Sequence, residues 1–434
     1  MSIYITDMEN DEFKNIWELY GVRENPFTTN PILVKGGTLP QECFVGREEQ
    51  IKRLKRILGS RGGSRTLVYG DVGVGKTSFV NIVRAQAVDA GYFTPFKEIT
   101  VHADWGPDQF ILNTLEAFYA TLRMVGDSKP VSDETLRKLT VLIEFESPNQ
   151  QSAGLTLGPV GASYGTGMAA AQVRPTLTLY RLFAELVEEI RQHTRKEIVI
   201  HYNNLENLPT EHLRGLFNQL RDFIQTPHVH FIFVGNQSVH ASFQVMPRVS
   251  SILTDTPIQI GNLAIEEIRK VIQIRFEKLR IGPDITYVVP FTDGALDALY
   301  ELFGGNMRYI LNSFDAAIKE ATGERPIRLD KALLASTLKK VAERRYLDKL
   351  PPRASHILLE AVKHDEITNR HLSRKTKVAR SNVSKYVKDL CERGCMYLRR
   401  KDGKDKYWSV EPRIRWYLLR EDAEKEKQRK MTEF

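Results

Sequence analysis

"TLVYGDVGVGKTSFVNIV", residues Thr66 to Val83, changes character twice along its length. Leu67-Val68-Tyr69 reads as a short buried strand, and Phe79, Val80, Ile82 and Val83 recur as the buried face of a helix. Between them Gly70, Gly75, Lys76 and Thr77 satisfy G-x-x-x-x-G-K-[ST] in the strand–loop–helix setting that gives the pattern its meaning. Glycines at 70, 73 and 75 let successive backbone N–H groups turn inward, and the helix N-terminus adds partial positive charge. The stretch predicts a phosphate cradle made by Gly70, Asp71, Val72, Gly73, Val74, Gly75, Lys76, Thr77 and Ser78. Lys76 is expected to reach β- and γ-phosphate oxygens, and the Thr77 hydroxyl to be a magnesium ligand. The expected cofactors are ATP or ADP with Mg2+.

Working outward, "FVGREEQIKRLKRIL" (Phe44 to Leu58) reads by itself as a capped amphipathic helix. At this distance before a phosphate loop, its Gly-Arg-Glu-Glu turn resembles the adenine-side box of AAA+ ATPases. Downstream, "HVHFIFVGNQSV" is a β-branched and aromatic strand ending at Asn236. "MPRVSSILTDTPIQIGNLAIEEIRKVIQIRFEKL" follows, with a short strand and an amphipathic helix ending near Arg275. Then comes "FGGNMRYILNSFDAA", where Gly305-Asn306 suits a helix N-terminus. From Pro26 to Tyr346 these motifs resemble the archaeal origin-recognition and cell-division-control initiator branch of AAA+. The resemblance implies adenine-side contacts from Val45, Gly46 and Arg47, and a sensor 1 at Asn236. It also implies a sensor 2 at Arg308 and an arginine finger at Arg248, supplied in trans to a neighbouring subunit. Arg248 also fits a surface helix-end arginine.

One stretch departs from that family. "EIVIHYNNLENL", Glu197 to Leu208, brings a buried strand to Asn203 and Asn204, where the family pattern carries Asp and Glu. The first acid would hold magnesium through water and the second would polarise the attacking water. An amide preserves hydrogen-bonding geometry but has no charge and accepts no proton at neutral pH. The expectation is nucleotide binding with slow or absent hydrolysis. The other reading, an active motor, would need a displaced acid such as Glu206 or Asp104.

Between these elements, Asp104 to Lys138 reads as a loop followed by a helix, and Thr176 to Gln192 as another helix. Residues 147–174 are Gly/Ala/Ser-rich, and the alternation in "AGLTLGPVGASYG" suggests a hairpin. That hairpin fits a flexible surface feature, or a contact with DNA or a neighbouring subunit.

Charge is uneven. The chain holds 62 Lys and Arg against 54 Asp and Glu, a formal +8. Arg353 to Phe434 alone hold 22 against 13, which leaves 40 against 41 before them. A near-neutral body with a basic C-terminal module is the footprint of a protein that holds nucleic acid at one end. The module "ASHILLEAVKHDEITNRHLSRKTKVARSNVSKYVKDLCERGCMYLRRKDGKDKYWSV" predicts three helices and a two-stranded wing. The first helix carries Ile357, Leu358, Ala361 and Val362, and a short second one lies around His371 and Leu372. The third begins at Ser381, buries Val383, Tyr386, Val387 and Leu390, and stops at Gly394. The pattern resembles the winged helices found C-terminal to the lid in archaeal initiators. The DNA-facing candidates are Arg380, Ser381, Asn382, Ser384, Lys385 and Lys388 on the third helix, with Arg400, Lys401 and Lys404 at the wing. A protein-interaction role is the alternative for such a module.

The expected fold class is α/β: a P-loop AAA+ parallel-sheet domain with a helical lid, then a winged-helix DNA-binding domain. The expected boundaries are an N-terminal segment 1–43, nucleotide domain 44–261, lid 262–350, winged helix 351–412 and a solvated helical tail 413–434. The expected partners are double-stranded DNA and further copies or other AAA+ subunits, with no membrane. No run approaches the roughly 18 apolar residues of a membrane helix, and no secretory pattern opens the chain. Cys43, Cys391 and Cys395 give no disulfide framework and no zinc-ligand spacing, so a cytoplasmic location is expected. The function expected is a DNA-site-recognising ATP switch in replication initiation. The alternative is a regulatory, transposition- or defence-associated ATPase that assembles on DNA or recruits a partner enzyme.

Overall fold

A computed structural model of the chain describes residues 15–126, 129–145, 176–403 and 405–418. The expected hairpin over 147–174, Lys404 and residues 419–434 lie outside them. The chain divides into two compact units. One is Asn30–Gly261; the other joins the N-terminal stretch up to Thr29 with everything from Asn262 onward.

In the first unit, β1 (Ser64–Tyr69), β2 (Ile99–Thr100), β3 (Ile198–Asn203), β4 (Val229–Gly235) and β5 (Ile258–Gln259) form one sheet in the order β2-β3-β4-β1-β5. Every pairing is parallel. Parallel sheets are covered on both faces, so their strands are buried and largely apolar. Accordingly, every residue of β3 and β4 is buried. Alternation sends Ile198, Ile200 and Tyr202 into a core with Phe110, Phe183 and Phe217, whereas Val199 packs with Val80 and Val83. His201 and Asn203 follow Val199, which points them at the helix Lys76–Asp89. The register sets Tyr69 beside Gly235 and Tyr202 beside Phe233. The phosphate loop, Asn203 and Asn236 therefore leave the sheet at one edge.

Asp104 to Lys138 holds two helices where one was expected, Pro107–Val125 and Asp133–Thr140. The break has local causes. Gly126 takes φ 60, and Ser132 restarts the helix by accepting from the Thr135 N–H. The helix expected over Thr176 to Gln192 runs Thr176–Thr194.

The second unit contains the helices Ile265–Lys278, Asp293–Phe303, Met307–Ala321 and Lys331–Ala342. The expected 1–43 segment splits between units, since residues 15–29 pack here. Phe27 sits among Trp17, Phe276, Phe291 and Phe314 at ring-centroid distances of 5.6, 5.7, 6.2 and 5.6 Å. Buried Arg275 donates to the carbonyls of Pro26 (3.0 Å) and Thr28 (2.8 Å).

In the same unit the helices Pro352–Val362, Asn369–Thr376 and Arg380–Glu392 combine with β6 (Ile367–Thr368), β7 (Met396–Asp402) and β8 (Asp405–Val410). The strands are antiparallel in the order β6-β8-β7. Leu358, Leu372, Val383, Val387 and Leu390 share one core. Residues 412–418 are helical, and their apolar members are not solvated as the tail reading expects. Ile414 and Leu418, one turn apart, enter the same core. Among the described residues, no helix is long and apolar enough to cross a membrane, and no group of three or more His, Cys, Asp or Glu is gathered as metal ligands.

Candidate nucleotide site and winged-helix face

The phosphate loop is built by constraint. A Cβ at Gly70 would run into the Ile260 carbonyl oxygen, while Gly73 and Gly75 take left-handed φ of 88 and 90. Lys76 opens the helix, and its ammonium donates to the carbonyls of Gly70 and Asp71 at 2.9 Å each. Val72 is exposed, whereas Val74 is buried. Ser78 Oγ accepts from the Ile32 N–H at 3.2 Å, which ties the chain before the adenine-side box to the loop's helix. Arg47, at φ 66, donates from Nη2 to the carbonyls of Val74 (2.6 Å) and Gly261 (3.0 Å). Gly46 beside it is buried and Val45 half-buried. The box therefore braces the back of the loop.

At the tip of β3, the Thr77 hydroxyl donates to Asn203 Oδ1 at 3.3 Å. An amide oxygen thus faces the predicted magnesium ligand where the family pattern carries a carboxylate. Both are hard oxygen donors, which fits an ion that completes its shell with water and phosphate. Asn204 takes a left-handed φ of 61 and starts the short turn Leu205–Asn207. Glu206 makes no hydrogen bond to Thr77, Asn203 or Asn236, and its Oε2 is buried without a partner among the described residues. Asn236 caps the helix Gln237–Gln244: its Oδ1 accepts from Ser238 N (2.9 Å), Ser238 Oγ (2.6 Å) and Val239 N (3.2 Å). That fixes the side chain with its amide hydrogens turned away from the helix.

A polar seam beneath Thr77 escapes sequence reasoning. On the phosphate-loop helix, Asn81 and Arg84 continue the Thr77 face, and His201 continues the Asn203 face. Arg84, fully buried, donates to Asn81 Oδ1 (2.8 Å), Thr94 Oγ1 (3.0 Å) and the Pro95 carbonyl. His201 Nδ1 lies 3.3 Å from Asn81 Oδ1 and 3.4 Å from Arg84 Nη1. Burial pushes the Arg84 pKa down to about 10 against the pull of Glu98. Burial, then Arg84, holds the His201 imidazole well below its ordinary value. The available signal was spacing: 77, 81 and 84 share one helix face, as 201 and 203 share one strand face.

Arg248 falls in the short helix Pro247–Ser250, but its side chain is outside the described residues. Arg308 is exposed in the first turn of Met307–Ala321, in the other unit. Its helix is capped by Asn306, whose Oδ1 accepts from Tyr309 N at 3.4 Å.

On the helix Arg380–Glu392, Ser381, Asn382 and Lys385 are exposed and carry no partner among the described residues. Lys388 stands 3.7 Å from Glu392, and Arg380 3.9 Å from Asp405. The Ser384 hydroxyl is occupied, donating to Arg380 O (3.1 Å) and accepting from Asn369 Nδ2 (2.9 Å). Arg400, expected at DNA, is bound bidentately to Glu366. The Lys401 side chain lies outside the described residues, as Lys404 does.

Residues 43–234 match the family described as AAA ATPase domain. The fold is P-loop AAA+. Residues 354–395 match the family described as winged helix-turn-helix DNA-binding. The chain thus joins an AAA+ parallel-sheet domain and helical lid to a C-terminal winged helix. No curated protein matches it. Among solved structures it is similar to the Aeropyrum pernix ORC1 protein in complex with DNA, at 17% identity, 86% of this chain, 92% of that chain and TM-score 0.46. It is similar to Cdc6p from Pyrobaculum aerophilum at 15% identity, 92% of this chain, 99% of that chain and TM-score 0.42. A RuvB variant from Thermotoga maritima gives 13% identity, 85% of this chain, 94% of that chain and TM-score 0.38.

Proposed function

We propose that the chain is an ATP-binding AAA+ switch that recognises a DNA site through its winged helix, with weak or absent hydrolysis. The observation that carries the reading is the Thr77–Asn203 contact of 3.3 Å. It keeps the geometry around the expected magnesium position and removes the charge. In this reading Lys76 neutralises β- and γ-phosphate oxygens, and the loop N–H groups hold the β-phosphate. Magnesium, when bound, would be held by the Thr77 hydroxyl with Asn203 beside it, and would supply positive charge to the phosphates. Asn203 offers an oxygen to its water shell, but Asn204 has no basic group with which to activate water. Arg308 and a neighbouring subunit's Arg248 would complete the phosphate contacts. Replication initiation is the setting that the sequence resemblance implies. The missing acids also favour a second reading, a divergent regulatory, transposition- or defence-associated ATPase on DNA.

The test measures ATP and ADP affinity, then steady-state hydrolysis, on the full chain with magnesium, with and without duplex DNA. Micromolar or tighter ATP binding with negligible turnover supports the switch. Rapid turnover lost in Glu206→Gln replaces it with a motor whose acid has moved. Absence of nucleotide binding removes both.

A further inference from the structure

The basic residues of the winged helix fall into two groups according to what already holds them. In β7, Arg399 donates from Nη1 to the Asp365 carbonyl at 3.1 Å. Arg400 spans both Glu366 oxygens, with Nε at 3.2 and 3.1 Å and Nη2 at 2.5 Å. Its guanidinium also lies 3.6 Å from the Tyr407 ring centroid. Planar bidentate pairing and stacking are the strong forms of arginine contact, and a DNA phosphate would have to displace both. Both wing-strand cations are held within the domain, Arg400 by a full ion pair and Arg399 by one backbone carbonyl.

The helix Asn369–Thr376 is the opposite case. Leu372 and Thr376 bury one face of it. Arg370 and Arg374, one turn apart, lie on the exposed side with Lys375. Lys377 follows at φ 56, in the turn that leads into Arg380–Glu392. All four are exposed, and none of their side chains forms an ion pair or hydrogen bond with a described residue. Asn369 Nδ2 joins this helix to Ser384 of the next at 2.9 Å, so the two helices present their cations as one body.

We infer that the chain grips duplex DNA through Arg370, Arg374, Lys375 and Lys377 on its helix-turn-helix, while Arg399 and Arg400 of the wing strand make no phosphate contact. This rests on the proposed reading that the winged helix binds duplex DNA. Four unpaired cations around the start of the third helix match the polyanionic backbone beside a major groove.

The experiment titrates the full chain against a labelled random-sequence duplex over a series of KCl concentrations. Each lost phosphate contact should lower the slope of log K against log salt by about 0.9. Arg370→Gln with Arg374→Gln, and separately Lys375→Gln with Lys377→Gln, should each lower the slope by about 1.8. If the loss is counterion release alone, each pair weakens binding about thirtyfold at 0.15 M salt. Arg399→Gln with Arg400→Gln should leave the slope unchanged and lower only the melting temperature. A slope carried by the wing pair, with the helix pairs silent, overturns the inference and leaves the DNA reading standing. Equal competition by polyglutamate would make the face a site for acidic proteins and overturn it too. If the unaltered chain shows no salt-dependent duplex binding, the DNA reading itself fails.

Discussion

In the proposed reading, Asn203 stands where the family pattern places an acid and carries none of its charge. Restoring both carboxylates, Asn203→Asp with Asn204→Glu, should raise ATP turnover by about a hundredfold or more, because general-base and electrostatic contributions are each of that order. Phosphate release at high protein concentration with DNA present checks this, and no gain would mean that more than the acids is missing. Lys76→Ala should weaken ATP binding by roughly ten- to a hundredfold, the worth of a charge-assisted contact, and lower the melting temperature a little because the Gly70 and Asp71 carbonyls lose their donor. Calorimetric titration of that variant decides it. The loop was legible because its chemistry is local: glycines, lysine and threonine at fixed spacing. The Thr77–Asn203 meeting was only half legible. The strand and its amides could be read, but the 3.3 Å contact needs the sheet order. Arg84 was legible only in its placement: spacing put it on the face of Thr77 and Asn81, but its complete burial depends on the sheet packed against that face.

At the level of elements, the sheet has chemistry at its opposite edge as well. Glu197, just before β3, accepts from the N–H groups of Gly62 (2.6 Å) and Gly63 (3.1 Å), with His228 Nδ1 at 3.1 Å and His230 Nε2 at 2.7 Å. His230, inside β4, also has Ser64 Oγ at 2.8 Å from Nδ1. Burial pushes the His230 imidazole down, with Glu197 pulling the other way and Arg65 adding to the depression. Burial raises the Glu197 carboxyl, but the Gly62 amide, His228, His230 and the Gly63 amide outweigh it and hold it below its ordinary value. Both folded values lie below the unfolded ones, so both contributions are complete at neutral pH and lost on acidification. Stability should begin to fall below about pH 6.5 as the unfolded chain takes up a proton that folded His230 refuses, and fall again below about pH 4.3 through Glu197. Thermal melts of His230→Gln should lack the upper step. A second expectation concerns the turn before Met307–Ala321. Gly305 has φ 83, and a Cβ there would meet the Leu263 carbonyl. Gly305→Ala should destabilise this helix by about 1–3 kcal/mol, read as faster hydrogen exchange over 307–321. Helix faces and the wing were legible from periodicity. The break at Gly126 was not, because the restart depends on Ser132 and its distant partner Glu189, whose Oε2 accepts the Ser132 N–H at 2.8 Å.

The molecule as a whole is two compact units, one of which is interrupted by the other in sequence. Phe27 belongs with Phe276, Phe291 and Phe314, so the residues around Phe27 and the lid helices complete a single aromatic core. The interval between them, Asn30–Gly261, is a fold in its own right. On a ribosome the consequence is a matter of waiting. The Trp17–Phe27 strap is made first, yet its partners emerge only after the intervening unit, which at roughly 5–20 residues per second is a delay on the order of 10 to 50 s. During that time its rings have no native surface to cover, whereas the nucleotide unit can close around its own sheet. Nascent chains stalled after Gly261 should therefore bind ATP while their strap stays open to protease, and protection should arrive only when Phe314 has left the tunnel.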